Sequence, residues 1–241
     1  MTERDEVRFR SDVTVELVKH AASDTDVLWA ARVSTKGEQS LAEAEADPQR
    51  SAGLINFLMR DRHGTPFEHS SMTFYVQAPI FVFREFMRHR TFSYNEESGR
   101  YRRLEPVFYV PGPGRKLVQE GKPGAYVFTD GTPAQHKLVD ETLRQSCRAA
   151  YAAYLEMLDA GVAREVARTV LPVGLYSSMY ATCNARALMN FLSLRVKHED
   201  STFPSFPQRE IEMVAEQMES LWQGLMPLTH AAFERNGRVC P

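Results

Sequence analysis

The chain has 241 residues, and its 29 basic and 31 acidic side chains leave a formal net charge of −2. This near-neutral balance disfavours a protein whose whole surface binds nucleic acid or an anionic membrane, although it allows a local basic pocket. No apolar run reaches the roughly 18–20 residues that span a bilayer, and the first residues lack the apolar segment of a secretory signal, so we expect a cytoplasmic protein without a membrane partner.

Strands are indicated by alternation of apolar and polar side chains, helices by apolar residues three and four apart, and helix ends by capping residues. In the first half of the chain, the predicted elements are a strand over 13–19, a helix capped by Asp24 or Thr25 and passing through Arg32, a helix over about 48–62, a strand over 72–78, and a helix over 80–90 that opens at Pro79. A loop with one short strand follows over 90–124. The second half is predicted to contain a long helix from Thr132-Pro133 to Gly161, a short helix over 162–170, a strand over 174–183, a helix over 184–197, and a last helix from a capping box at Ser205 to about Phe233.

These elements predict an α+β fold, because a few strands mix with many helices and no regular βαβ alternation is present. No shift in composition marks a linker, so we expect a single domain over residues 1–241. A long loop at about 106–131, rich in Pro and Gly, is expected to project from it.

Several common catalytic motifs are absent from the sequence. No GxGxxG, HExxH or GxSxG is present, and Gly121-Lys122 is followed by Pro123 rather than by Ser or Thr. The three cysteines are widely separated, which excludes a CxxC metal motif and disfavours a disulfide framework. His63 and His69 lack a third ligand at a typical spacing, so we predict no metal site.

Residues 84–103 combine six arginines and three glutamates with interleaved aromatic side chains. The rigid donor fork of arginine suits phosphate oxygens. Ser98-Gly99-Arg100 offers a hydroxyl, an unhindered N–H and a guanidinium, which together suit a monophosphate. Two alternatives stay open: a solvated basic face, and a single-stranded nucleic-acid or nucleotide-binding module using the arginines and aromatics. The glutamates and the near-neutral chain disfavour the second alternative.

The predicted helix 184–197 carries an arginine in an unusual position. Leu188, Phe191 and Leu192 form an apolar stripe, and Arg195 falls within it. A buried guanidinium needs an anionic or polar partner, whereas one near a helix C-terminus can also extend to water. Thr65-Pro-Phe-Glu68 has the form of a capping box with Pro at the first helical position, which predicts an ordinary helix start or a turn there.

The segment from Arg88 to Tyr101 resembles the signature of flavin-dependent thymidylate synthases, RHRxxSxNExSxRY, and every defined position is present. Four further segments are similar to the family: 63–69, 78–82, 164–172 and 184–195. The resemblance implies a homotetramer with active sites shared between subunits, in which each subunit combines a small, mostly antiparallel sheet with several long helices. It also implies methylation of dUMP to dTMP, with methylenetetrahydrofolate as one-carbon donor and FAD reduced by NADPH.

The resemblance assigns residues to two ligands. Contacts with FAD are expected from His63, Thr65, Arg88, His89, Arg90, Glu96, Asn184, Ala185, Arg186 and Asn190. Contacts with dUMP are expected from Glu85, Phe86, Met87, Arg88, Glu96, Glu97, Ser98, Gly99, Arg100, Arg168 and Arg195. Arg168, from another subunit, would help to neutralise the phosphate.

The catalytic role is assigned to Arg195. Carbon 5 of uracil is a poor nucleophile, and cysteine-dependent synthases activate it by adding a thiolate to carbon 6. None of the three cysteines here lies in a matching motif. A cation at the N3–O4 edge would instead stabilise enolate character as carbon 5 attacks the methylene donor. Ser98 as a nucleophile and a metal-dependent hydrolase using His63, His69 and His89 are the weaker alternatives.

Overall fold

The computed structural model describes residues 6–39, 48–123 and 125–241. Its helices are α1 (Asp24–Lys36), α2 (Pro48–Arg60), α3 (Ile80–Phe86), α4 (Pro133–Asp159), α5 (Arg164–Ala167), α6 (Ala185–Arg195), α7 (Arg209–Leu225) and α8 (Pro227–Arg235). Its strands are β1 (Arg8–Arg10), β2 (Thr14–Ala21), β3 (Ser71–Pro79), β4 (Ser93–Glu96), β5 (Val107–Tyr109), β6 (Val118–Lys122), β7 (Ala125–Thr129) and β8 (Tyr176–Cys183). The predicted mixture of strands and helices is confirmed.

Three small sheets organise the strands. A four-stranded sheet has the order β2-β3-β8-β4. The pair β1 and β5 is parallel, with Arg8 opposite Val107. The pair β6 and β7 is an antiparallel hairpin, with Val118 opposite Thr129. The segment 106–131, predicted as a long loop, therefore contains β5 and this hairpin. The strand β6 escaped prediction because its residues are mostly exposed and lack apolar alternation.

The described residues form two compact units, and the prediction of a single domain stays a prediction. The first unit comprises the residues up to Val13, Gln77–Glu85 and Glu96–Met179. Its core lies along α4 and consists of Leu104, Phe108, Cys147, Tyr151, Tyr154, Ala167 and Leu175. Two tyrosines of α4 also hold the backbone of Leu104: its N–H donates to Tyr154 Oη at 3.3 Å, and its carbonyl accepts from Tyr151 Oη at 3.2 Å.

The helix α4 confirms a boundary that the sequence predicts. Thr132 caps it, because its Oγ1 accepts the N–H of Gln135 at 3.3 Å while its own N–H donates to the Gln135 side chain at 2.8 Å. Pro133 occupies the first turn. Gly161 follows the helix with φ of +81°, a conformation that favours glycine.

The second unit comprises Thr14–Val76, Phe86–Asn95 and Tyr180–Pro241. The helix α6 packs against α7, and α2 packs against α8. The strand β3 alternates as predicted, with Met72, Phe74 and Val76 fully buried. None of the described helices combines the length and the apolar character needed to cross a membrane.

Two predicted helix starts, those of α1 and α7, are wrong. The N-cap of α1 is Ser23, whose N–H donates to the carboxylate of Asp26 at 2.7 Å, rather than Asp24 or Thr25. Ser205 does not cap the last helix, because its hydroxyl donates to the carbonyl of Val196 at 2.8 Å and the helix begins after Gln208.

The last predicted helix is in fact two helices, because α7 ends before Met226 and Pro227 starts α8. The N–H groups of Leu228 and Thr229, at the start of α8, donate to the side chain of Asp24 at 2.8 Å and 2.9 Å. An acidic side chain at the N-terminus of a helix stabilises that helix, so the contact with Asp24 favours a new helix beginning at Pro227.

Candidate functional site

The sequence Arg88-His89-Arg90 lies in a turn rather than in the predicted helix, which ends at Phe86. The hydroxyl of Tyr94 donates to the carbonyls of Phe86 at 2.8 Å and of His89 at 3.0 Å. The Tyr94 hydroxyl thus provides a hydrogen-bond donor for backbone carbonyls that have no partner within the helix at its C-terminal end. His89 is 5% exposed, whereas Arg88 and Arg90 are exposed. The turn therefore directs the imidazole inward and both guanidinium groups outward.

The buried imidazole meets Arg195, the last residue of α6. Arg195 Nε donates to His89 Nε2 at 3.1 Å. Burial and the neighbouring Arg195 lower the pKa of His89 to about 4. His89 is therefore neutral near pH 7 and can accept a hydrogen bond at Nε2. A neutral imidazole is thus one polar partner of this arginine on the apolar stripe.

The helix α6 begins at the predicted residue. Asn184 caps it, since its side-chain oxygen accepts the N–H of Ala187 at 2.8 Å. Ala185 is fully buried and its N–H donates to Ser70 Oγ at 3.0 Å, so its side chain faces no solvent. Asn190 is exposed on the same helix.

Arg186, near the start of α6, is held against the turn 64–68. Its Nη1 pairs with the carboxylate of Glu68, and its Nε donates to the carbonyl of Pro241 at 2.8 Å. A Cβ at Gly64 would lie 2.6 Å from Arg186 Cζ, so this approach requires glycine. Thr65–Glu68 is a single 3₁₀ turn, one of the two predicted alternatives, and Glu68 contacts Arg186 rather than closing a capping box.

The histidines considered for a metal site have other contacts. His63 is exposed and stacks on Phe57, with ring centroids 5.7 Å apart, and His69 forms a T-shaped pair with Trp29, with ring centroids 5.2 Å apart. Among the described residues, no group of three metal-ligating side chains includes His63, His69 or His89. The metal-dependent hydrolase therefore gains no support from the described part of the chain.

In the first unit, the segment 96–100 is fixed against β8. Ser177 Oγ donates to the carboxylate of Glu96 at 2.9 Å. The N–H of Glu97 donates to the carbonyl of Ser178 at 2.8 Å, and the hydroxyl of Ser178 donates back to the Glu97 carboxylate at 3.3 Å. Burial raises the pKa of Glu96, and the neighbouring Glu97 adds to this, although Ser177 and Arg168 oppose the rise.

The Ser98-Gly99-Arg100 segment forms a tight turn. The carbonyl of Ser98 accepts the N–H of Tyr101 at 3.1 Å, and its hydroxyl accepts the N–H of Arg100 at 3.3 Å. A Cβ on Gly99 would lie 2.8 Å from Leu104 Cδ1 and 3.2 Å from Arg168 Cδ. A side chain at position 99 would therefore displace Leu104, and the turn lies beside Arg168 of the same chain, whereas the resemblance draws Arg168 from another subunit.

Arg100 forms an ion pair with Glu165 at 3.0 Å, and both side chains are 55% exposed. Exposed pairs of this kind contribute roughly 0–1 kcal/mol, so an anionic ligand can replace Glu165 at little cost. Arg168 is also exposed. The turn therefore presents two guanidinium groups at the surface of the first unit.

The three residues that precede the RHR sequence differ in exposure. Phe86 is fully buried and stacks on Phe191 at 4.6 Å, Met87 is 38% exposed, and Glu85 is partly buried. Phe86 therefore supports the turn through packing. Sequence reasoning missed Tyr94 and Ser177 as supports of the site; Tyr94 lies within the signature, whereas no pattern in the sequence indicates Ser177.

Comparisons with known proteins show which family the chain belongs to. Residues 16–228 match the family model described as "Thymidylate synthase complementing protein". A relative from Streptomyces avermitilis, named flavin-dependent thymidylate synthase, is 74% identical over 234 residues, which cover 97% of this chain and 95% of the relative. A relative of the same name from Tropheryma whipplei is 60% identical over 233 residues, which cover 97% of each chain. The crystal structure of a UMP/dUMP methylase, PolB from Streptomyces cacaoi bound with 5-Br dUMP, is 56% identical with a TM-score of 0.93, covering 98% of this chain and 100% of that chain.

Proposed function

Since the chain belongs to the flavin-dependent thymidylate synthase family, we propose that it converts dUMP to dTMP, with methylenetetrahydrofolate as the one-carbon donor and FAD, reduced by NADPH, as the redox cofactor. The observation that carries this proposal is the Arg195 guanidinium held by a neutral histidine on an otherwise apolar helix face. A cation placed in this way suits a reaction in which negative charge develops on a neutral pyrimidine.

The donor groups of the second unit fit FAD, which carries two phosphates and a flat ring system. Within the described chain, the exposed guanidinium groups of Arg88 and Arg90 have no ion-pair partner, and such groups suit phosphate oxygens. We propose that FAD is held by these two arginines together with His63, Thr65, His89, Glu96, Asn184, Ala185, Arg186 and Asn190. When bound, FAD supplies the two-electron reduction that the new methyl group requires.

We assign the phosphate of dUMP to the turn formed by Ser98, Gly99 and Arg100, with Arg168 as a further cation. The hydroxyl, the backbone N–H groups and the two guanidinium groups together form the donor set that a phosphate monoester needs. Further contacts with dUMP are proposed for Glu85, Phe86, Met87, Arg88, Glu96, Glu97 and Arg195.

Arg195 is proposed to act on the uracil ring. Its guanidinium would donate hydrogen bonds to the N3–O4 edge and stabilise enolate character as carbon 5 attacks the methylene group of the folate. The cysteines are poor candidates for the alternative thiolate mechanism, because burial raises the pKa of the thiols of Cys147, Cys183 and Cys240. A nucleophilic cysteine needs a lowered pKa instead.

Replacing each cysteine singly by Ala is therefore expected to leave dTMP formation within about twofold of the parent enzyme under conditions where the variant is folded. Cys147 and Cys183 are buried, so their variants are expected to melt at a lower temperature. Initial rates measured well below that temperature separate the two effects. Loss of turnover in a folded variant would contradict the mechanism without a thiolate.

Ser98→Ala is expected to weaken dUMP binding by about tenfold and to leave residual turnover, because one hydrogen bond to an anion is lost. In the described chain, the Ser98 hydroxyl has no hydrogen bond to a His, Asp or Glu side chain that could act as its base. Titration of dUMP and initial rates measure both effects. Ser34→Ala, at an exposed position of α1, is the control. Complete loss of turnover with unchanged dUMP affinity would support Ser98 as a nucleophile.

The test of the proposed function starts with the purified protein. A flavin absorption spectrum, together with transfer of deuterium from reduced nicotinamide to dTMP, would support it. A protein without flavin that binds single-stranded nucleic acid with a steep dependence on salt would contradict it. We further propose that the enzyme is a cytoplasmic homotetramer with active sites shared between subunits; sedimentation analysis tests the assembly.

A further inference from the structure

We propose that His89 is a positioning residue, whose neutral imidazole orients the guanidinium of Arg195 toward the pyrimidine by accepting its Nε–H. This inference rests on the proposed function and deepens it. It gives the central histidine of the signature a role toward the nucleotide, beside the role toward the cofactor that the resemblance implies.

The imidazole is fixed from two sides. Its ring packs against the ring of Phe191 in a T-shaped arrangement, with centroids 4.8 Å apart and an interplanar angle of 84°. Its backbone is also held, since the N–H donates to the carbonyl of Phe86 at 3.0 Å and the carbonyl accepts from Tyr94 Oη and from the N–H of Phe92. A ring held in this way can fix the position of another group.

The direction of the hydrogen bond follows from the charges. A guanidinium only donates, so Nε2 of His89 accepts and the ring proton lies on Nδ1. Burial and the adjacent Arg195 hold the pKa of His89 at about 4, which keeps the acceptor available near neutral pH. A protonated imidazole would instead place a second cation 3.1 Å from Arg195.

Fixing Nε of Arg195 also limits the orientation of the two terminal nitrogens of its guanidinium. The guanidinium is planar, so anchoring Nε restricts the directions of both terminal amino groups. Without this anchor, a partly exposed arginine at the end of a helix can extend to water. Stabilisation of developing charge depends on donors placed before the reaction, so a loosely held Arg195 would stabilise an enolate less well.

The test uses 5-bromo-dUMP, whose electron-withdrawing bromine makes N3–H more acidic, so that a rise in pH yields a pyrimidine anion. Direct titration measures how much the affinity for this nucleotide changes as N3 ionises, relative to dUMP. We expect H89L to lose about tenfold of the preference for the anion. H89Q, whose amide oxygen can accept from Nε, is expected to retain it, and H89L added to R195A is expected to cause no further loss.

Circular dichroism and thermal melting establish that each variant is folded, and flavin content shows separately whether its contact with FAD is kept. If H89L does not fold, H89Q and H89N provide the comparison, because the Asn amide is one carbon shorter and cannot reach Nε. Equal preferences in the parent, H89L and H89N proteins, or the same loss from H89L with and without Arg195, would overturn the proposal. Failure of the proposed function would show differently, as absence of dTMP formation by the parent enzyme.

Discussion

Arg195→Ala is expected to lower kcat for dTMP formation by about a hundredfold to a thousandfold, the range found when a donor that stabilises developing negative charge is removed. The variant is expected to fold, because Arg195 is the last residue of α6 and is partly exposed. It is also expected to retain flavin, because the exposed guanidinium groups of Arg88 and Arg90 are unaffected. Single-turnover kinetics and the flavin spectrum of the purified variant measure both.

Lys197→Ala is the matched control for this experiment. It removes a positive charge two residues away, from an exposed side chain whose backbone N–H donates to Glu212. We expect its turnover to stay within about twofold of the parent enzyme, as for an exposed charge outside the site. Unchanged turnover in Arg195→Ala would exclude the proposed role of Arg195, whereas equal losses in both variants would indicate a general electrostatic effect.

Glu219→Ala is expected to lower the free energy of unfolding by about 3–5 kcal/mol, the cost of breaking a buried ion pair from one side. The carboxylate of Glu219 contacts both terminal nitrogens of Arg238 at 2.7 Å and Nε2 of His230 at 3.0 Å. Arg238 is 3% exposed, so its charge would stay buried without its main partner. Urea unfolding measures the change. Glu216→Ala, which breaks an exposed pair with Arg209 on the same helix, is expected to cost at most about 1 kcal/mol.

The effect of Glu219 depends on pH in a defined direction. Burial alone would raise the pKa of Glu219, but hydrogen bonds with His230 and Arg238 outweigh it and lower the pKa to about 2, from an ordinary value of 4.5. The stabilisation is therefore fully present above about pH 4.5 and is lost as the pH falls toward about 2. The difference in unfolding free energy between parent and variant is expected to shrink over that interval. A constant difference would contradict the assignment.

The sequence correctly predicts several elements that have a clear capping residue or a clear alternation of apolar side chains. Thr132-Pro133 and Asn184 cap the helices that follow them, and the alternating residues 72–78 form a strand. The signature contains part of each proposed ligand site, with Arg88-His89-Arg90 proposed for FAD and Ser98-Gly99-Arg100 for dUMP. The backbone conformation at the start of the signature is harder to predict. The apolar pattern after Pro79 continues toward Arg90, although the helix α3 ends at Phe86. The hydroxyl of Tyr94 donates hydrogen bonds to the backbone carbonyls of Phe86 and His89 at this point, and helical periodicity carries no information about those contacts.

Contacts between distant residues explain what the sequence could not show. His89 and Arg195 are 106 positions apart, and Glu96 and Ser177 are 81 apart. The position of Arg195 on an apolar stripe indicates that it needs a polar partner, but nothing in the sequence identifies that partner as His89, and only the fold reveals either pairing. The capping-box patterns at Thr65 and Ser205 were misleading for the same reason, since Glu68 contacts Arg186 and Ser205 contacts Val196.

Both ends of the segment 97–104 are anchored within the first unit. At one end, the backbone N–H of Glu97 donates to the carbonyl of Ser178; at the other, the backbone of Leu104 bonds to Tyr151 and Tyr154. A loop whose ends are already fixed loses little conformational entropy when it closes on an anion. Amide hydrogens at Glu97 and Leu104 should therefore exchange slowly with solvent even before a nucleotide binds, and phosphate recognition should resemble docking onto a rigid surface rather than folding around a ligand.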